Sequence, residues 1–130
     1  MIVLDASAAV EWLLQTHVGG LVESRIFSRN ESLHAPHLLD VEMAQVLRRL
    51  VRLNKVSEHR AAEAIEDLLN LRLTRYPHTF LLARIWELRH NFSAYDAAYV
   101  ALSEQLGATL VTHDTRLGSA SSHSARVEVF

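Results

Sequence analysis

The chain has 130 residues, enough for one domain whose core buries roughly two thirds of the unfolded surface. Hydrophobic residues make up 49% and charged residues 22%, with four Gly and two Pro, which excludes a disordered or fibrous chain; with no Cys, a disulfide framework and a thiolate zinc site are excluded too. The formal net charge is −2, so any affinity for nucleic acid must come from localised cations, which are all Arg except Lys55.

Met1-Ile2-Val3-Leu4-Asp5 has no basic region and does not read as a signal peptide. No apolar run approaches the roughly 18 residues of a membrane span. A cytoplasmic protein without membrane attachment is expected. Ile2 to Leu4 predicts a buried strand ending at Asp5. Ser7 to Gln15 predicts a short helix, and Gly20 to Arg29 a second. Ser32 to Pro36 predicts another strand. Leu38 to Asn54 has the clearest helical pattern, with Leu39, Met43, Val46, Leu47 and Leu50 at i, i+4, i+7, i+8 and i+11. Ser57 caps a helix running to about Leu71. Leu73 to Tyr76 predicts a strand closed by Pro77, and His78 to His90 a helix. Ser93 opens the helix Ala94 to Leu106, which Gly107 stops. Ala108 to Thr112 is an apolar strand just before Asp114, Gly118 to Ser124 a small-residue loop, and Arg126 to Phe130 an edge strand.

Strands alternating with helices imply an α/β fold: one domain over residues 1–130, with a short, mostly parallel sheet flanked by helices. Ligands of such sheets gather at the carboxyl ends of the strands, where Asp5 and Asp114 lie. Asp5 also suits a helix cap, and Asp114 a turn that starts a short helix. Glu42 and Asp40 flank the apolar stripe of the first long helix on opposite sides, and periodicity does not choose between them. Asp96 is the one charge in Ala94-Tyr95-Asp96-Ala97-Ala98-Tyr99-Val100-Ala101-Leu102. A buried carboxylate needs a partner, and a metal ion is one; Ser93-x-x-Asp96 also has the spacing of a capping box. Carboxylates gathered in one cleft repel one another unless neutralised, and hard oxygen donors select Mg²⁺ or Mn²⁺. Such ions promote in-line displacement at phosphorus, so phosphodiester hydrolysis is the natural reaction.

V-L-D-A-S near the start, P-H-L-L-D-V-E in the first long helix, Y-D-A-A-Y-V-A-L near the end and L-V-T-H-D-T-R-L after it resemble the PIN-domain ribonucleases, and in size and spacing the VapC-type toxins of toxin–antitoxin pairs. The resemblance implies a PIN-like three-layer fold and a Mg²⁺- or Mn²⁺-dependent endoribonuclease. It implies that Asp5, Glu42, Asp96 and Asp114 are the catalytic, metal-holding acids, choosing Glu42 over Asp40. It also implies that Ser7 and Thr112 orient carboxylates or waters. A homodimer and a cognate antitoxin whose tail enters the groove are implied as partners beside the RNA substrate. Gln45 stands where many relatives carry a small amide, which touches only the surroundings of the metal site.

Arg48, Arg49 and Arg52 continue the helix of Glu42 and are candidate contacts to RNA phosphates. No aromatic-rich surface for reading bases stands out. The competing functions are a nuclease acting on DNA, a metal-dependent phosphatase, and a PIN-like module that only binds. Ser7 stands where a haloacid-dehalogenase-like phosphatase would want a second Asp, and all four acids are present, against simple loss of activity.

Overall fold

The computed structural model describes all residues, Met1 to Phe130. Five short strands, β1 (Ile2–Leu4), β2 (Leu33–Pro36), β3 (Leu73–Tyr76), β4 (Thr109–Thr112) and β5 (Arg126–Val129), form one sheet in the order β3-β2-β1-β4-β5. Every pairing is parallel. β1 lies at the centre with all its residues fully buried, as the apolar run requires. The chain builds outward from β1 to β2 and β3, then returns to place β4 on the other side. The reversal makes the carboxyl ends of β1 and β4 the switch point where open parallel sheets bind ligands. Register sets Leu4 opposite Val111, so Asp5 leaves the sheet beside Thr112.

The helices are α1 (Ala6–Leu13), α2 (His17–Phe27), α3 (Leu38–Arg52), α4 (Glu58–Asn70), α5 (Leu82–Glu87), α6 (Ala94–Leu106) and α7 (Thr115–Ser119). The helices α1 to α4 pack on one another, while α5 rests on α6, which lies against β1, β2 and β4. α6 is buried on every side from Ala97 to Ser103. The α3 stripe holds: Leu39, Met43 and Leu47 are buried, and Val46 and Leu50 pack against the core. Ser57 and Ser93 cap α4 and α6 by accepting the N–H groups of Arg60 and Asp96. Gly107 ends α6 at φ +60, the left-handed geometry that glycine adopts without strain.

Three elements differ from the sequence reading. α2 begins at His17, not Gly20, because the Thr16 hydroxyl accepts the Gly19 N–H and starts the helix a turn earlier. The helix expected over His78 to His90 divides into a 3₁₀ turn (Thr79–Leu81), α5, and a second 3₁₀ turn (Leu88–His90). The apolar spacing survives this division, since Leu81, Ile85 and Leu88 are still buried. The loop expected from Gly118 begins inside α7, which the Asp114 carboxylate caps.

Gly19 sits where α2 crosses α1. A Cβ there would lie 2.1 Å from the Glu11 carbonyl oxygen, a backbone atom that cannot swing aside. Gly19→Ala should therefore destabilise the fold by about 1–3 kcal/mol, the usual cost of overpacking. The midpoint of urea unfolding checks this; an unchanged midpoint would mean that α2 can shift freely.

Candidate active site

β1 delivers Asp5 into the first turn of α1, where it occupies the cap position without capping. It is only 6% exposed. Its Oδ2 accepts the Ser7 hydroxyl at 2.8 Å and the Thr112 hydroxyl at 2.5 Å. Those hydroxyl oxygens accept the backbone N–H groups of His113 and Asp114, at 2.9 and 3.0 Å. Two relays thus run from the β4 exit, through a hydroxyl, to one carboxylate oxygen. They lock the Asp5 rotamer and leave Oδ1 without a protein donor. A hydrogen bond to a charged acceptor is worth roughly 1.5–3 kcal/mol, so this orientation is strongly held.

α3 supplies Glu42, half-buried, which accepts the Tyr99 hydroxyl at 2.5 Å. The alternative acid, Asp40, turns the other way and pairs with Arg75 of β3 at 2.8 Å. The helical wheel leaves this choice open, and a cation outside the helix separates the two. Burial first, then the charges of Asp5 and Asp96, push the Glu42 carboxyl above its ordinary range, while the Tyr99 hydrogen bond opposes the rise. Burial and the Glu42 charge in turn hold Tyr99 protonated.

Asp96 stands in the first turn of α6. Its backbone N–H donates to the Ser93 hydroxyl, which is half of the capping box that the spacing suggests, and its half-buried carboxylate lines the cleft instead of reaching back to the Ser93 N–H. Burial, followed by the charge of Asp5, raises its carboxyl; Arg116, whose guanidinium lies 3.9 Å away, lowers it. Asp114 caps α7 and is gripped by the same Arg116 at 2.5 Å, which holds it below the usual carboxylate range.

Asp5, Glu42, Asp96 and Asp114 all line one groove of about 390 Å³. The fold therefore brings together four acids from four separate segments. Ser7 shares the groove and Thr112 is buried beneath it. Of the three candidate arginines, Arg49 lines this groove, whereas Arg48 and Arg52 line an apolar groove between α3 and α4. As the side chains stand, no three carboxylates are set closely enough to grip one ion. Arg116 draws on Asp114 and Tyr99 on Glu42, and both acids point partly toward those partners.

Sequence reasoning missed Tyr99 and Arg116. Tyr99 lies three residues after Asp96, on the same helical face, a spacing that would have found it. Arg116 lies two residues after Asp114, within reach of a capping Asp; its second partner, Asp96, is far away along the chain and gives no local signal.

A model of the PIN domain family matches residues 2–121. The chain is 46% identical over 117 residues to the VapC ribonuclease Mb0985 of Mycobacterium bovis, covering 90% of this chain and 88% of that one. It is 40% identical over 129 residues to ribonuclease VapC12 of Mycobacterium tuberculosis, covering 99% and 98%. In fold it is similar to a chain in the crystal structure of VapBC2 from Rickettsia felis bound to a DNA fragment from their promoter. That match has a TM-score of 0.71 and 14% identity, and covers 99% of this chain and 98% of that one.

Proposed function

This chain belongs to the PIN-domain family, in its VapC branch, and we propose that it is a metal-dependent endoribonuclease, the toxin of a pair in which a cognate antitoxin holds it inactive. The observation that carries this reading is the meeting of four carboxylates at the switch point of the sheet, with one of them locked by two hydroxyls. Arg116 offsets the charge of Asp114 and part of that of Asp96, and gathering the remaining like charges costs stability unless an ion neutralises them.

The donor set fits Mg²⁺ or Mn²⁺ by its chemistry: hard carboxylate oxygens and no thiolate. Asp5 through Oδ1, Glu42, Asp96 and Asp114 would hold the ion, with Asp114 turning from Arg116 and Glu42 from Tyr99. Such an ion, when bound, neutralises phosphate charge and lowers the pKa of water for in-line attack. The remaining work belongs to the chain. Ser7 and Thr112 fix the direction of Asp5. Tyr99 holds Glu42 at the edge of the groove until an ion draws it away. Arg116, once released by Asp114, offers its guanidinium to a phosphate oxygen. Arg49, which lines the groove with the four acids, lends charge to the RNA backbone. Water attacks phosphorus, the P–O bond to the leaving ribose breaks, and the leaving oxygen takes up a proton. The toxin would act as a homodimer.

Purified chain, free of antitoxin, should cut total cellular RNA at discrete positions with Mn²⁺ and not with EDTA. Cutting of duplex or single-stranded DNA instead would reassign the substrate, and absence of any cutting across RNA and DNA would favour a module that only binds.

The hydroxyl relays give a separate expectation. Ser7→Ala and Thr112→Val should each weaken Mn²⁺ binding by about 10- to 100-fold, as loss of a group that orients a metal ligand does. Calorimetric titration measures this; affinities equal to wild type would show that Asp5 is positioned without them.

A further inference from the structure

Resting on the ribonuclease reading, we propose that the pocket beside the acid cluster seats a base of the RNA strand next to the scissile phosphate, stacked on Tyr95. The pocket has a volume of about 340 Å³, and its walls include Asn91, Phe92, Tyr95 and Arg116. That is at the lower end of the roughly 300–1,000 Å³ found for small-ligand sites. Glu42 and Asp96 also line it, and the same two acids line the groove that holds Asp5, Arg49 and Asp114. The two hollows therefore meet at Glu42 and Asp96. A single strand laid across both would carry a phosphate over the acids, with a base on the Tyr95 side and backbone on the Arg49 side.

Tyr95 is what the pocket has to offer a base. It immediately precedes Asp96 in the first turn of α6, so its position is fixed by the helix that carries a site acid. It is 62% exposed. A single exposed aromatic is ordinary on a protein surface; one that walls a pocket contiguous with four carboxylates has a use. Every base has a π-face, so an aromatic ring beside a backbone track is the general device for holding single-stranded nucleic acid. Asn91 adds an amide that can both donate to and accept from a base edge. Arg116, 79% exposed at its side chain, is the cation of this pocket, as Arg49 is of the neighbouring groove. Each hollow thus offers a guanidinium to a phosphate chain passing over the carboxylates that the two share.

The test uses short single-stranded RNA oligomers carrying 2-aminopurine at successive positions, bound to the whole 130-residue chain in Ca²⁺, which carboxylates also hold but in looser geometry. Stacking on Tyr95 quenches the fluorescence at one position. Tyr95→Phe keeps the quench and the affinity, because the π-face remains. Tyr95→Ala loses the quench and weakens binding by about 5- to 150-fold, the range that one base–aromatic stack carries. In the Mn²⁺ cleavage assay the same variant raises KM with little change in kcat, and Asn91→Ala alters which base is preferred there. Equal quench and affinity in Tyr95→Ala, or no quench at any position with wild type, overturns the subsite even where RNA cleavage stands. Weakened antitoxin binding with unaltered RNA binding in Tyr95→Ala also overturns it, by giving the pocket to the partner protein. Loss of all RNA cutting by wild type strikes the ribonuclease reading itself and is seen in the Mn²⁺ assay before any variant is made.

Discussion

Asp5→Asn is expected to lower RNA cleavage by at least about 10²- to 10³-fold, the cost of removing one group that stabilises charge in a transition state, while the protein stays folded. The substitution is nearly isosteric, so the reason lies in polarity. In wild type, two hydroxyls donate to Oδ2, and each already accepts a backbone N–H from the β4 exit. Their protons therefore point at position 5. In the variant the amide oxygen takes those donors, which leaves the amide nitrogen where Oδ1 faced the cleft. An amide nitrogen carries no lone pair for a metal ion and presents protons to it. The loss should appear in kcat with an unchanged circular dichroism spectrum. Cleavage within a few fold of wild type would remove Asp5 from the site.

Asp96→Asn should stabilise the metal-free protein at neutral pH and at the same time blunt its stabilisation by Mn²⁺. Burial, and then the charge of Asp5, raise the Asp96 carboxyl above its ordinary value, and burial does the same to Glu42. A carboxyl with a raised folded pKa binds its proton more readily folded than unfolded. Stability from this source is present at acidic pH and is lost as pH climbs from the ordinary carboxylate range through the raised value. Asp114 runs the other way, since Arg116 depresses it: its contribution is present above the ordinary carboxylate value and is lost as pH falls. At neutral pH the wild type bears the cost of ionising Asp96 against its burial and the Asp5 charge. Asn removes that cost, and the melting temperature without metal should rise by about 2–6 °C. Mn²⁺ at a hundredfold excess over its Kd stabilises a folded site by about 2.7 kcal/mol; the variant should keep only a small part of this. A variant no more stable than wild type without metal, and equally stabilised by Mn²⁺, would count against Asp96 as a ligand.

Much of this site is legible in the sequence because buried parallel strands are unbroken apolar runs. An acid at the end of such a run marks a strand's carboxyl end, and that is how Asp5 and Asp114 stand out from the other carboxylates of the chain. Asp96 is legible for a related reason, as a lone charge in a helix that is apolar all round. Glu42 is legible only through the resemblance. It and Asp40 are equivalent on the helical wheel, and Arg75, from a strand 35 residues away, is what separates them. The divided helix over His78 to His90 is hidden because burial of Leu81, Ile85 and Leu88 needs only their spacing, which a 3₁₀–α–3₁₀ succession supplies as well as one helix does. Arg116 is hidden because its partners, Asp96 and Asp114, meet only when α6 and the β4 exit are brought together in space. The base pocket is hidden likewise: Asn91, Phe92 and Tyr95 form no periodic aromatic surface, and gain a function only from the acids beside them.

The most direct test of the metal site is calorimetric titration of Mn²⁺ into the wild-type chain and into Asp5→Asn, in mildly acidic buffers of different ionisation enthalpy. Burial raises the Glu42 and Asp96 carboxyls above their ordinary range, so protons compete there with a metal. The carboxylate cluster predicts saturable binding with proton release in wild type, and little or none in Asp5→Asn. Equal binding by both proteins, or none by wild type, would contradict it.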